Sequence, residues 1–212
     1  MSTKNSLAKR FALILIDPQN GFVNDGSWSR MFSDGQSLPI LDAFHRIVSF
    51  LRSIPNLSSI PILVSQTGFI SHDRQIFEPI ANELPLSITR VYKPHTNLSI
   101  CPGVEQWLSE QLKSNLDIVI GGCTITSCVR DSSIEMKKFF PQLNFFVHEN
   151  LCAARKDNYL FRCERCFERY MIDGSSLMND CSICPRKSLL SPVQFAYEQM
   201  KDAGVNVVDH YP

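Results

Sequence analysis

The chain has 212 residues, of which 44% are hydrophobic and 20% charged, and its formal net charge is zero. That length supports one α/β domain, residues 1–212, with a sizeable core, and the balanced charge excludes a general nucleic-acid or membrane-surface binder. Apolar runs fall short of the roughly 20 residues a membrane span needs, and residues 11–16 are too short for a signal core, so neither a membrane partner nor a targeting segment is expected. Eight cysteines without a signal segment predict a reducing, cytoplasmic setting, with thiols used for metal binding or catalysis rather than disulfides.

Short β-rich runs alternate with helical patterns along the chain. Phe11–Ile16 is a continuous apolar strand, and Asp17-Pro18-Gln19-Asn20-Gly21 breaks it. Residues 40–51 carry Leu41, Phe44, Ile47, Val48 and Leu51 at a helical period. Strands are predicted at 60–64 and 88–92, the latter ending at Lys93-Pro94. A helix over 104–112 follows Pro102-Gly103, and Asp117-Ile118-Val119-Ile120 forms the fourth strand before Gly121-Gly122. Residues 128–140 read as a helix stopped by Pro141, and 143–147 as the fifth strand. The last helix runs over 191–203, with Ser191 as N-cap, Pro192 at its first position and Gly204 beyond its end. A final strand covers 205–208. Continuous apolar strands separated by helices indicate a doubly wound α/β/α sandwich, with a parallel sheet covered on both faces.

In such a sheet, ligands bind outside the carboxyl ends of the strands. Asp17, Lys93 and Cys128 follow the first, third and fourth strands, so they can meet despite their separation in sequence. Cys128 stands at a strand-to-helix turn, where helix N-terminal amides favour a thiolate and can hold an oxyanion. Singly, each residue has a plainer role: a turn carboxylate, a solvated lysine, a small buried thiol. Together they form a coherent set. A carboxylate takes the thiol proton and later passes it to a leaving amine. The ammonium stabilises both negative partners. The thiolate attacks a carbonyl, and water hydrolyses the resulting thioester. Backbone amides at Thr124 and Cys128 are placed to hold the oxyanion.

Phe11-Ala12-Leu13-Ile14-Leu15-Ile16-Asp17-Pro18-Gln19-Asn20-Gly21-Phe22 resembles the opening of the isochorismatase-like cysteine hydrolases. Gly122-Cys123-Thr124-Ile125-Thr126-Ser127-Cys128-Val129-Arg130 is similar to that family's nucleophile motif, above all to its N-carbamoylsarcosine amidase branch, and Val91-Tyr92-Lys93 to its middle motif. The resemblance covers roughly residues 8–150 and 190–210. It implies a six-stranded parallel sheet, a catalytic triad of Asp17, Lys93 and Cys128, a cis peptide at Cys123–Thr124, and a homo-oligomer acting on a small molecule. Two departures narrow the activity. True isochorismatases carry glycine where this chain has Cys128, which favours C–N bond hydrolysis of an amide or carbamoyl compound over vinyl-ether hydrolysis. The Asp-x-His metal motif of nicotinamidases is missing from Ser65-Gln66-Thr67-Gly68-Phe69-Ile70-Ser71-His72-Asp73, so no catalytic metal or organic cofactor is expected. The rival readings are an ether or ester hydrolase and an idle interaction module.

About 40 residues separate the fifth strand from the last helix, far more than an ordinary connection. They contain Cys163-Glu164-Arg165-Cys166 and Cys181-Ser182-Ile183-Cys184, with fourteen residues between the pairs. Two such knuckles fit one structural Zn²⁺ held by four thiolates, in an insertion over 155–188; free or disulfide-bonded thiols are the alternative. Residues 155–187 carry seven basic and five acidic side chains, an excess of two that zinc with four thiolates cancels, which is a poor footprint for nucleic acid. The aromatic residues Tyr159, Phe161, Phe167 and Tyr170 suit either a lid over the active site or packing of the knuckle on itself. Arg155 and Asn158 are candidates to touch a substrate carboxylate or amide, with a solvated loop as the alternative. Gln19 is a further substrate-binding candidate, or orients Asp17, or simply completes its turn.

Overall fold

The structure is a computed structural model and describes residues 10–23, 25–161 and 190–211. Among these residues one sheet carries six parallel strands: β1 (Phe11–Ile16), β2 (Ile62–Gln66), β3 (Thr89–Tyr92), β4 (Asp117–Cys123), β5 (Phe145–Ala153) and β6 (Asn206–Val208). Their order is β3-β2-β1-β4-β5-β6. The order reverses at β1, so the crevice between β1 and β4 opens at the carboxyl rim, where a doubly wound sheet binds its ligands. The helices are α1 (Leu38–Ser53), α2 (Glu78–Ala81), α3 (Val104–Lys113), α4 (Arg130–Phe139) and α5 (Pro192–Asp202).

Alternation along β1 sends its side chains to two cores. Leu13 and Leu15 pack on the side of α1, with Ile40, Phe44, Ile47 and Leu51. Ala12, Ile14 and Ile16 face the other way, toward Trp107 and Leu108 of α3, Met136 of α4, and Ala196 and Met200 of α5. Each fully buried Leu, Ile, Phe or Met among them contributes about 1.5–3 kcal/mol. Burial on both faces explains why β1, and β4 after Asp117, are apolar rather than alternating.

Several sequence expectations reappear in the coordinates. Ser191 Oγ accepts from the Gln194 amide at 3.2 Å while Gln194 Oε1 accepts from the Ser191 amide at 3.0 Å, a reciprocal cap for α5. Pro192 opens that helix, and Gly204 follows it with φ +83°. Other boundaries move. Residues 125–129 form a wide π-type turn, so α4 begins at Arg130 instead of at Cys128. β5 extends to Ala153, pairing Cys152 and Ala153 with Gly122 and Cys123 beyond a register shift. β2 lies two residues later than its apolar run suggested. The proposed zinc ligands Cys163, Cys166, Cys181 and Cys184 lie outside the described residues; of the 155–188 insertion, only the stem at 155–161 falls within them. Among the described residues, no helix is long and apolar enough to cross a membrane.

Candidate active site

Three strand ends build the floor of a single cleft. Asp17 follows β1 in a left-handed conformation, φ 50°, which an aspartate tolerates better than most residues and which clusters at functional sites. The register that pairs Leu15 with Val64 sets Ser65 of β2 alongside. Ser65 Oγ donates to Asp17 Oδ1 at 2.7 Å and accepts from the Asp17 amide at 3.2 Å. Lys93 follows β3, its amide bonded to the Gln66 carbonyl at 2.9 Å. Its Nζ lies 2.6 Å from Asp17 Oδ2, 3.2 Å from Cys128 Sγ and 3.1 Å from the His95 carbonyl. Asp17 and Lys93 are wholly buried. A buried ion pair needs its remaining donors and acceptors met; the thiol and the His95 carbonyl do this for the ammonium, and Ser65 for the carboxylate.

Cys128 arrives from β4 through a tight backbone approach. Gly122 has φ +121°, and a side chain there would collide with the Ile16 backbone of β1. Only glycine lets β1 and β4 close to this distance at their ends. The following Cys123–Thr124 peptide is cis, as the resemblance implies. The wide turn at 125–129 then aims Cys128 at Lys93. Amides of Ser127 and Val129 fold back onto the Thr124 carbonyl at 3.2 and 3.1 Å.

Electrostatics separate the resting charges. Burial raises the pKa of the Asp17 carboxyl, against the Lys93 charge and the hydrogen bonds from Lys93, Ser65 and Cys128. For Lys93, burial pulls downward, but the Asp17 and Cys128 charges outweigh it and the net shift is upward. The Cys128 thiol is pushed up by burial and by the Asp17 charge, with Lys93 opposing. The sequence reading expected turn amides and lysine to favour a resting thiolate. At Cys128 desolvation outweighs the lysine, so the thiol is pushed up while the neighbouring carboxyl is raised as well.

Above the floor is a cavity of about 570 Å³. Thr124, Thr126, Ser127 and Cys128 form its base, and Phe22, Trp28, Phe32 and Phe69 its aromatic wall. The rings meet edge to face: Phe22 with Trp28 at 5.0 Å, Phe22 with Phe69 at 4.9 Å, Trp28 with Phe32 at 4.8 Å between centroids. Arg155 and Asn158 line a third side. The Arg155 guanidinium stacks 3.9 Å from the Phe32 centroid, and Asn158 Nδ2 donates to Thr126 Oγ1 at 3.2 Å. Gln19 does not line this cavity. It is fully buried, and its amide is spent on the next connection: Oε1 accepts from the Thr67 amide at 2.7 Å, and Nε2 donates to the Arg74 and Thr67 carbonyls at 2.9 and 3.3 Å. That bonding holds Phe69 over the cleft. Among the described residues, no group of three or more His, Cys, Asp or Glu side chains is placed to hold a metal ion.

Sequence reasoning passed over Ser65, Trp28 and Phe32. Ser65 carried a signal, being a small hydroxyl directly after the apolar run Ile62-Leu63-Val64. Trp28 and Phe32 carried none, since residues 23–36 show no periodicity.

No protein-family model and no curated protein matches the sequence. Solved structures do. Nicotinamidase PncA from Bacillus subtilis superposes with a TM-score of 0.60 at 11% identity, covering 94% of this chain and 99% of that one. An isochorismatase-like hydrolase from Alkaliphilus metalliredigens gives 0.57 at 13%, covering 95% and 92%. MAR1 ribonuclease from Caenorhabditis elegans gives 0.57 at 14%, covering 95% and 77%. At these identities the likeness is one of fold, the isochorismatase-like α/β/α sandwich. The names of the three differ in chemistry, so function has to be argued from side chains.

Proposed function

We propose that the chain is a cysteine hydrolase that cleaves a C–N bond of a small amide or carbamoyl compound through a thioester. The observation that carries this reading is the contact of one buried lysine with both a carboxylate and a thiol, 2.6 Å from Asp17 and 3.2 Å from Cys128, at the base of a cavity. Asp17 takes the Cys128 proton as sulfur attacks the substrate carbonyl, so the S–C bond and the thiolate charge develop together. Thr124 and Cys128 amides receive the oxyanion, a contribution of about 3–4 kcal/mol per donor. The tetrahedral adduct expels the amine, which leaves with the proton held by Asp17. Water, deprotonated by Asp17, then attacks the thioester and releases the acid and the thiol. Lys93 remains an ammonium throughout and offsets the charge on whichever partner carries it.

Arg155 serves the substrate rather than the chemistry in this reading. Its fork suits a carboxylate, and it is 6% exposed within the cavity wall. Asn158 assists it. The cysteine spacing supports a separate proposal, one structural zinc held by Cys163, Cys166, Cys181 and Cys184. Elemental analysis of purified protein should return about one zinc per chain, falling toward zero on replacing Cys163 and Cys166 with serine.

Denaturing mass spectrometry after soaking with amides, carbamoyl compounds and esters tests the main reading. An acyl mass on Cys128 from the nitrogen compounds is expected. Cys128→Ala should lose both adduct and turnover while keeping its circular dichroism. Turnover retained in that variant refutes the covalent scheme.

A further inference from the structure

We propose that Gln36 is a positioning residue that sets the anion-selective side of the cavity by clasping the turn that bears Arg155. Gln36 closes the segment that carries Trp28 and Phe32 and is only 9% exposed. Its Nε2 donates to Asp157 Oδ1 at 2.8 Å, and its Oε1 accepts from the Asp157 amide at 3.0 Å. Its carbonyl accepts from the Lys156 amide at 2.9 Å. Three hydrogen bonds from one glutamine therefore register residues 156 and 157 against a segment more than a hundred positions away in sequence.

The consequence falls on the neighbours of the clasp. Arg155 precedes Lys156, and Phe32 lies four residues before Gln36. The guanidinium rests on the Phe32 face at 3.9 Å, and among the described residues no carboxylate pairs with it. A guanidinium stacked on its face keeps its in-plane N–H donors available to a planar anion. Arg155 and Cys128 line the same cavity, so an anion docked on Arg155 shares that cavity with the thiol. Two segments supply this wall, and the Gln36 side chain contributes two of the bonds that hold them in register. The clasp lies at the stem of the cysteine-bearing insertion, which makes the same glutamine the junction between insertion and cavity.

This inference rests on Cys128 being the reactive thiol, and a probe pair separates the two ideas. Iodoacetate and iodoacetamide both alkylate sulfur, forming S–C, releasing iodide and giving up the thiol proton; only the first carries a carboxylate. Rate constants at Cys128 are read by peptide mapping on the full chain, and the ratio of the two rates reports anion selectivity. Arg155→Met defines the ratio without the fork. Gln36→Leu is expected to bring the wild-type ratio down about fivefold toward that value, as one charge contact is displaced. Its iodoacetamide rate should stay within about twofold, because the floor does not depend on the clasp. Gln36→Glu should lower the ratio too, setting two carboxylates together.

A purely structural clasp would lower the melting temperature and leave the ratio unmoved, and that outcome overturns the proposal. So does a wild-type ratio equal to that of Arg155→Met. Cys128 resistant to both reagents would instead sink the hydrolase reading, and this inference with it.

Discussion

Asp17 and Lys93 directly follow strand ends, Cys128 sits in the turn beyond β4, and all three are at most 8% exposed, whereas Trp28, Phe32 and Phe69 hang from connecting segments and are only half-buried. The floor is located by the sheet. Parallel register brings three strand ends to one rim, and backbone hydrogen bonds leave little freedom there. The wall is located by side chains: Gln19 holds the 67–74 connection, Gln36 grips Asp157, and Asp73 Oδ2 accepts from the Ser27 amide at 2.7 Å. Chemistry that tolerates no displacement sits on the rigid part. Recognition, which differs between proteins of one fold, sits on the adjustable part.

That division is broken most forcefully at Asp17. Asp17→Asn should lower kcat by about 10²–10⁴-fold. The same change should make Cys128 easier to ionise, because the Asp17 charge is one of the two causes that raise its pKa. The pH profile of Cys128 alkylation therefore moves to lower pH as turnover disappears. Lys93→Met should move that profile the opposite way, since the ammonium is what opposes the upward shift. Stopped-flow alkylation across pH 6–10 reads both; a common direction would contradict the assigned charges.

Ser65→Ala tests the support beneath the floor. It removes a hydrogen bond to a buried carboxylate, worth about 1.5–3 kcal/mol, and should lower kcat by roughly tenfold with KM little changed. A rise in KM alone would move Ser65 from the floor to the wall. The smallest effect is expected at Trp28. Trp28→Ala should raise KM by about fivefold and leave kcat within about twofold, as lost uniform binding does. Equal loss in kcat would show that the wall takes part in the chemistry.

Strands were legible where apolarity was continuous. β1 has the predicted bounds because buried residues on both faces leave no polar interruption. β5 was cut short at Val147 because His148, Glu149 and Asn150 interrupt the apolar run, yet the backbone continues to pair past them. The chain reversal before Cys128 was legible, but the helix begins at Arg130, two residues later than expected, and burial pushes the thiol pKa up where the turn amides and lysine were expected to lower it. Local amides are visible in sequence; the depth of burial that outweighs them is a property of the assembled core. Gln19 beside Asp17 could be read as a substrate ligand, an orienter of Asp17 or a turn residue, and the structure spends its side-chain amide on Thr67 and Arg74. Nothing in a linear pattern reports which of two nearby polar groups faces a cavity.

The positions of the strands along the chain, the polar residues that follow them and the glycines that end β4 were dictated locally, by apolar runs and turn chemistry. Which side chains enclose the substrate was decided only on folding. Those contacts join segments such as Gln36 and Asp157 across 121 positions, and their energy exists only once the sheet has brought the segments together.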